Sequence, residues 1–520
     1  MSNKIVGIDL GTTFSAIAIL DAIGNPEILP DIKNNRITPS AVYLSSTNES
    51  KVGSEALSAV KAEPNRVITE IKRHMRDEIV YSVSKGQWIE KNFQDKQEDE
   101  FTPAQLSSKI IEKLKGFSEG IEKAVITVPA MFAQRAREAT IDAAKIAGLS
   151  GYESEFVELI NEPTAAIFHY ANLPGVSISG KVMVVDLGGG TFDVTIANVN
   201  GKKVDVIHSE GNPNLGGKDF DRALLEFMST KYKEQLGADL NIDDVEYLLQ
   251  AEELKKILST RESHAVVIDG PNGPSKKIDI SRNDFNNLVS NLIEAVKLKM
   301  SSCVKKSGIQ NSDISQILLV GGSTRMPCVV DAITQIMGKA PTKGVNVDEA
   351  VASGAALYAG TISDKSNLNE AQKEAMSKLD LSDVANHYFG TLATTYDQER
   401  DKYFAYNSII IEKGSKLPSA KTNDFMLLGD TSSFTATVTQ SDGPTENKEF
   451  VHVLAQESVE IKDGKKDDPI QVTFSYDKSQ NMHCTFEHIP SGKKHEIQIK
   501  SKTSEEVDAA QKEMKNFTID

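Results

Sequence analysis

The chain repeats itself. Val6-Gly7-Ile8-Asp9-Leu10-Gly11-Thr12-Thr13-Phe14-Ser15-Ala16-Ile17-Ala18-Ile19 and Val184-Val185-Asp186-Leu187-Gly188-Gly189-Gly190-Thr191-Phe192-Asp193-Val194-Thr195-Ile196-Ala197 share one plan. Each is an apolar strand, an Asp, a Leu-Gly pair, a small-residue turn and an alternating strand. Alternation of period two with β-branched residues on both sides of a glycine turn predicts a β-hairpin in each copy. A third apolar run, Ile317-Leu318-Leu319-Val320, enters Gly321-Gly322-Ser323-Thr324-Arg325. Stretches of helical period follow these strands, residues 133–147 among them. Strands alternating with such helices predict an α/β core in two duplicated lobes with a cleft between them.

After about residue 361 the composition changes. Residues 363–383 are polar and read as a helix running into a linker. From Tyr388 the chain is strand-rich: Phe434, Ala436 and Val438 alternate with threonines, and Ile470, Val472, Phe474 and Tyr476 alternate with Gln471, Thr473 and Ser475. Turn signals such as Ser441-Asp442-Gly443-Pro444 separate these runs, which predicts an antiparallel β domain with one solvated face. At the end, Thr503 and Glu506 form a capping box before Val507, Ala510, Met514 and Phe517, which predicts one short helix. The expected division is therefore 1–362, the two-lobed α/β domain; 363–385, helix and linker; 386–502, the β domain; and 503–520, a short helix or tail.

Charge narrows the partners. The 58 basic residues against 74 acidic ones leave a net charge of −16, a poor basis for binding nucleic acid or an anionic membrane. No apolar run approaches the roughly 20 residues needed to span a bilayer, and the start carries no apolar signal segment. Cys303, Cys328 and Cys484 stand far apart and in no metal-ligand spacing, so neither a disulfide framework nor a zinc site is expected. A cytoplasmic protein is the expectation. Of the histidines only His483 and His488, near Cys484, come close to a ligand spacing, and ordinary sheet residues are the better reading there.

Glycine turns beside strand ends let several backbone N–H groups converge on a phosphate where no Cβ obstructs them. Asp9 and Asp186 sit at such ends, and two carboxylates facing one cleft call for a cation between them. Mg²⁺ with most of its waters suits that arrangement. One Asp-Leu-Gly-Thr alone is an ordinary strand-ending turn; two copies and a third glycine pair are a phosphate site.

These segments, together with Asn161-Glu162-Pro163-Thr164-Ala165-Ala166, Leu215-Gly216-Gly217-Lys218-Asp219-Phe220-Asp221 and Gly321-Gly322-Ser323-Thr324-Arg325-Met326-Pro327, resemble the 70-kilodalton heat-shock chaperone family in identity, order and spacing. The resemblance implies an actin-like ATPase domain of two lobes, followed by a β-sandwich that binds peptide. It implies ATP/ADP and Mg²⁺ as ligands. Thr12, Thr13, Gly189, Gly190 and Thr191 would cradle the β- and γ-phosphates, with Gly11, Phe14, Gly188, Gly216 and Gly217 also on the nucleotide. Asp9, Asp186 and Asp193 would hold the metal largely through water, inside a shell that includes Glu162. Lys72, Glu162, Asp186 and Thr191 would form the catalytic set, and Pro129 and Arg137 would relay nucleotide state outward. Glu252, Lys255, Lys256 and Ser259 would meet ribose and adenine from one side, and Gly321, Gly322, Ser323, Arg325 and Asp348 from the other. Lys256 stands where the family usually stacks an arginine on adenine, so that contact should be looser. Leu428 and Phe434 are the candidate pocket residues of the peptide groove. Implied partners are extended apolar peptides, a J-domain co-chaperone and a nucleotide-exchange factor, with the chain itself a monomer.

Two departures stand out. The family's leucine-rich linker is replaced by Leu379-Asp380-Leu381-Ser382-Asp383-Val384, which predicts weak docking on the ATPase and weak coupling between domains. The family's helical lid has no counterpart in this sequence beyond the short terminal helix. The function expected is slow MgATP hydrolysis coupled to peptide binding through a lid-less β domain. The alternatives are an ATP-binding co-chaperone or ribosome-associated scaffold with little hydrolysis, and a small-molecule kinase on the same fold.

Overall fold

The computed structural model describes residues 4–149, 156–173, 178–236, 240–270, 275–342, 346–398, 401–478, 480–499 and 504–519. The internal repeat is visible as two sheets of one plan. In the first, Lys4–Asp9 pairs parallel with Ile121–Val128 and antiparallel with Phe14–Leu20. In the second, Gly180–Leu187 pairs parallel with Ile314–Val320 and antiparallel with Phe192–Asn200. Each hairpin turns on its glycines; Asp9 is the last residue of its strand and Asp186 the last but one of the other.

The sheets are joined through helices Glu162–Asn172 and Ala350–Ile362, whose residues share one apolar core with strands of both. The second helix is built from small residues, and the packing needs them. A Cβ on Gly354 would overlap the carbonyl of Ala165, and one on Gly7 would overlap the backbone of Ala356. Small side chains bring the two lobes' backbones close together, which fixes where the two aspartates sit.

Residues 388–498 supply two four-stranded antiparallel sheets around one core. One has the order Lys402–Ile411, Tyr388–Asp397, Thr431–Ser441, His452–Gly464; the other has Ser419–Met426, Pro469–Tyr476, Met482–His488, Lys493–Gln498. Pro469–Tyr476 alternates buried and more exposed positions as its period-two pattern demands. Thr431–Ser441 does not. From Ala436 to Ser441 every residue is buried, on both faces. Ala436 and Val438 face the sandwich core, and Gln440 on the same side reaches the first lobe, where its Oε1 accepts from the backbone N–H of Gln134 at 3.0 Å. On the opposite side Thr439 Oγ1 donates to Asn407 Oδ1 at 2.6 Å and Ser441 Oγ to Gly443 O at 2.9 Å.

The linker differs from expectation. Asp380–Ser382 forms a fifth strand, parallel to Lys203–Asp205, on the edge of the second lobe's sheet. Ladder hydrogen bonds need no leucines, Leu379 and Leu381 still pack against the core, and Lys203 pairs with Asp380 at 3.0 Å. The loss of apolar character is met by polar anchoring. Pairing within the β domain also begins earlier than residue 386: Val384 bridges Lys416, and Leu417 N–H donates to Asp383 O at 2.9 Å.

The terminal helix runs from Ser504 to Met514, as its spacing predicts; Thr503 of the expected capping box lies outside the described residues. Among the described residues, no helix is long and apolar enough to cross a membrane.

Candidate functional site

Carboxylates meet at the floor of the cleft. Asp9 comes from the first hairpin, Asp186 and Asp193 from opposite strands of the second, where they are paired in register. Glu162 opens the helix between the lobes, behind Asn161 and with Pro163 at its first turn. Lys72, buried in a short 3₁₀ turn of the first lobe, forms an ion pair with Glu162. Thr127 Oγ1 donates to Asp9 Oδ1 at 2.8 Å, and the N–H of Ala130 donates to Asp193 Oδ2 at 3.1 Å.

One lysine does not balance this charge. Burial first, then the Glu162 carboxylate, push Asp9 up to about 7 against the pull of Lys72. The same two influences push Asp193 up to about 7. Asp186 is raised well above its ordinary value by burial, then by Glu162, Asp193 and Asp9. Such a group has an appetite for a cation. Among the described residues no three acidic, histidine or cysteine side chains stand close enough to grip a metal directly. A cation held mainly through its own waters fits both facts.

Above the carboxylates, the glycine turns of the two lobes nearly touch. A Cβ on Gly189 would overlap Thr13 Oγ1, and one on Gly190 would come within 2.6 Å of Thr12 Oγ1. Gly188 and Gly189 carbonyls accept from the N–H groups of Gly217 (2.9 Å) and Lys218 (2.8 Å), which ties in the third turn. A Cβ on Gly216 would sit 2.5 Å from Gly190 N. Gly11 lies within the first turn, where its N–H donates to Ser15 Oγ at 3.2 Å, and Thr12 and Thr191 are buried alongside. A bare-backbone cradle over excess negative charge suits a phosphate chain that arrives with its cation. Arg73 crosses the cleft to Asp219 at 2.8 Å.

A buried charge lattice lies beneath the third turn. Lys218 pairs with Glu252 at 2.7 Å, Lys255 with Asp221 at 2.8 Å, and Lys256 with Glu252 at 2.8 Å. Against burial, which acts upward, Lys218 and Lys256 hold the Glu252 carboxyl down at about 2. Lys255 also donates to Gly217 O at 3.0 Å, while the Ser259 hydroxyl turns back onto Lys255 O at 2.9 Å. Lys256 Nζ lies 5.7 Å from the centre of the Phe14 ring, across the cleft. Opposite, Ser323 Oγ donates to Gly188 O at 3.0 Å and Arg325 pairs with Asp348 at 2.7 Å. Gly321 has φ +79°, and a Cβ there would overlap Leu187 O, so only glycine fits. Gly322 adjoins Asp348.

The relay candidates link this floor to the β domain. Pro129 begins the turn whose next residue, Ala130, holds Asp193. Three residues on, the carbonyl of Phe132 faces Arg137 Nε at 3.2 Å and the His387 ring at 3.2 Å. Arg137 also donates to Asn161 Oδ1, and Asn161 Nδ2 donates to Asp383 at 3.0 Å. Lys413 of the β domain pairs with the buried Glu210 of the second lobe at 3.0 Å. Sequence reasoning missed Thr127, Asp383, His387 and Lys413, because only the folded chain brings them to these partners.

The groove candidates part company. Leu428 is half exposed, whereas Phe434 packs against the sandwich core. Met426, Tyr396, Tyr403 and Phe404 are also exposed, and the two tyrosine rings lie 5.1 Å apart. His488 is buried and bonded to Ser491 and Asp468, a sheet residue as expected.

Two lobes of one plan, closing glycine turns over a carboxylate floor and carrying a docked β domain, define a two-lobed cleft protein suited to a polyphosphate. The match to known families is then specific: the model of the Hsp70 protein family covers residues 5–519, and the chain belongs to the Hsp70 family. Members of that family are ATP-binding chaperones that join an actin-like ATPase to a β-sandwich domain.

Proposed function

We propose that the protein hydrolyses MgATP slowly and binds extended apolar segments of other proteins through its β domain. The observation that carries this reading is the excess of buried carboxylate around Lys72, beneath a cradle of bare glycine backbone. Asp9, Asp186 and Asp193 would hold Mg²⁺ through water, and that ion would supply charge neutralisation at the β- and γ-phosphates. Thr12, Thr13, Gly189, Gly190 and Thr191 receive the phosphates through N–H and hydroxyl groups. Lys72 turns from Glu162 to the γ-phosphate and stabilises charge as the phosphoryl group transfers. Asp186 orients the attacking water. The water oxygen bonds to the γ-phosphorus as the bond to the bridging oxygen breaks, ADP leaves as the other product, and Asp186 accepts the proton. A carboxyl with a raised pKa is well matched to that task.

Adenosine would lie between Lys256 and Arg325, with Glu252, Lys255 and Ser259 toward the ribose. Leu428 and the exposed aromatics Tyr396, Tyr403 and Phe404 of the same sandwich offer apolar surface for aliphatic side chains, while the edges of strands offer backbone hydrogen bonds. A J-domain co-chaperone and an exchange factor follow from family practice, and a cytoplasmic setting rests on the sequence reading alone. A second reading, a scaffold that binds ATP and barely hydrolyses it, is favoured by one observation: the linker and the β domain are already seated on both lobes. Nucleotide titration separates from turnover, so measuring ATP binding and phosphate release on the same preparation tests the two readings. Binding with release supports the first, binding alone the second, and neither removes both.

A further inference from the structure

The helix Ser504–Met514 spends its apolar face on the first lobe. Val507, Ala510 and Met514, at i, i+3 and i+7, are buried in the same core as Leu106, Ile110 and Leu114 of helix Pro103–Lys115. Beyond it, the Phe517 ring stands edge-on to Phe101 at 5.5 Å. Thr518–Ile519 then adds a parallel strand to Glu49–Ser50, the otherwise open edge of a small sheet. Thr518 N–H donates to Asn48 O and Ser50 Oγ to Thr518 O, each at 3.1 Å.

The lobe is shaped for this visitor. Lys109 is wholly buried, and its ammonium donates to Phe517 O and pairs with Glu112 at 2.8 Å. The segment thus closes over an ammonium and at the same time supplies one of its two partners, so that its burial is accompanied by pairing. Glu513 is gripped from two sides, by Lys96 and by Gln105 Nε2, both at 2.8 Å. A helix resting casually on a surface has no such counterparts: a buried cation, a prepared sheet edge and an aromatic partner.

We propose that this face of the first lobe is a receptor for the chain's own helix–strand segment, residues 504–519, and that the segment straps the β domain to the lobes. The linker strand Asp380–Ser382 holds the β domain to the second lobe, and the strap holds it to the first. With two attachments, release of either leaves its end close to its site, so rebinding is intramolecular and fast. The β domain therefore stays docked whichever nucleotide is bound, and the apolar face of the helix is withheld from the peptide groove. The part of this inference that concerns nucleotide rests on the ATPase reading above.

Hydrogen exchange on the full chain tests it, in the absence of nucleotide and with MgADP or MgATP. Amides of Ser504–Met514 and Glu49–Val52 should be as protected as those of Pro103–Lys115 in all three conditions. Met514→Asp should speed exchange at both segments about tenfold or more, leaving Gly180–Leu187 unchanged. Phe517→Ala, which alters no strand of the lobe, should give the same pattern more weakly and keeps the test available if Met514→Asp does not fold. Exchange of 504–514 at unfolded-chain rates, or an edge strand indifferent to both variants, would overturn the receptor. Protection that holds without nucleotide but is lost with MgATP would overturn the constant hold. A chain that binds no nucleotide at all would sink the ATPase reading and leave the receptor comparison intact.

Discussion

Asn161 and Glu162 are neighbours that face opposite ways: Glu162 pairs with Lys72 at the floor of the cleft, and Asn161 Nδ2 donates to the buried carboxylate of Asp383 at 3.0 Å. One peptide unit therefore separates the proposed phosphoryl-transfer site from the linker. Thr164 (3.2 Å), Gln480 (3.3 Å) and the Val384 N–H (2.8 Å) complete the bonding of Asp383. A shift of the Glu162 backbone on nucleotide binding would be felt at once by a charged group inside the domain interface.

Asp383→Ala should loosen that interface. It leaves Asn161, Thr164 and Gln480 without an acceptor in a buried setting, at a cost on the order of 3 kcal/mol. Limited proteolysis of the linker should then proceed at least tenfold faster, with the thermal unfolding of the lobes little changed. Unchanged cleavage would show that the linker strand and Lys413–Glu210 suffice without it.

Lys72→Ala should bind ATP but turn it over about a hundredfold more slowly, since loss of one charged contact to the transferring group commonly costs about 3 kcal/mol. Single-turnover hydrolysis measures this directly. A wild-type rate in that variant would take Lys72 out of the mechanism.

The carboxylate floor gives a pH signature. Asp9 and Asp193, with ordinary values near 3.8, are raised to about 7 in the folded chain. The folded state therefore holds more protons than the unfolded one between these values, and stability falls as pH rises from about 4 to about 7. An Asp9→Asn, Asp193→Asn variant should flatten that slope, Asp186 keeping part of it, and gain stability at pH 7.5, on the order of 2 kcal/mol in thermal or urea melts. MgADP should bind the unaltered chain more tightly at pH 8 than at pH 6, by roughly tenfold for each carboxylate that must ionise, with proton release in calorimetry. Pathways through other groups would be indicated by a flat profile.

How much of this was readable beforehand depends on what each feature rests on. The hairpins, Asp9, Asp186 and the glycine turns follow from local patterns that are repeated, so one copy corroborates the other. The linker strand escapes a reading of apolar content because its docking rests on backbone pairing, and the edge at Lys203–Asp205 pairs with an extended segment without needing leucines. The double burial of Ala436–Ser441 and the seat of Ser504–Met514 have no signature in the local pattern: the first depends on Asn407 and the turn after Ser441 closing over the strand, the second on a lobe surface hundreds of residues away in sequence. Asp383 and His387 carry no motif at all. Their importance comes from burial, and burial is a property of the assembled domains.

At the purine end, Lys256→Arg should tighten ADP by about two- to fivefold, because a guanidinium offers a flat face to adenine and the lysine ammonium does not. The measurement is ADP affinity in paired titrations of the two proteins. Equal affinities would mean that Lys256 is held by Glu252 and Phe14 and never meets the base.

Peptide should bind the β domain with micromolar affinity, about −8 kcal/mol, and leave within seconds in either nucleotide state, because the helix Ser504–Met514 is packed on the first lobe and not over the groove. Fluorescence-detected dissociation of a labelled aliphatic peptide checks this. Retention for many minutes with ADP and rapid loss with ATP would show that some segment acts as a lid.

The central claim is that this chain is a working but weakly coupled ATPase, and steady-state phosphate release from MgATP with and without an unfolded apolar peptide tests it most directly. The expected result is slow release that depends on Lys72 and rises less than about threefold with peptide, a small population shift of the kind a doubly held β domain permits. No release above the Lys72→Ala background, or a stimulation of tenfold and more by peptide alone, would contradict it.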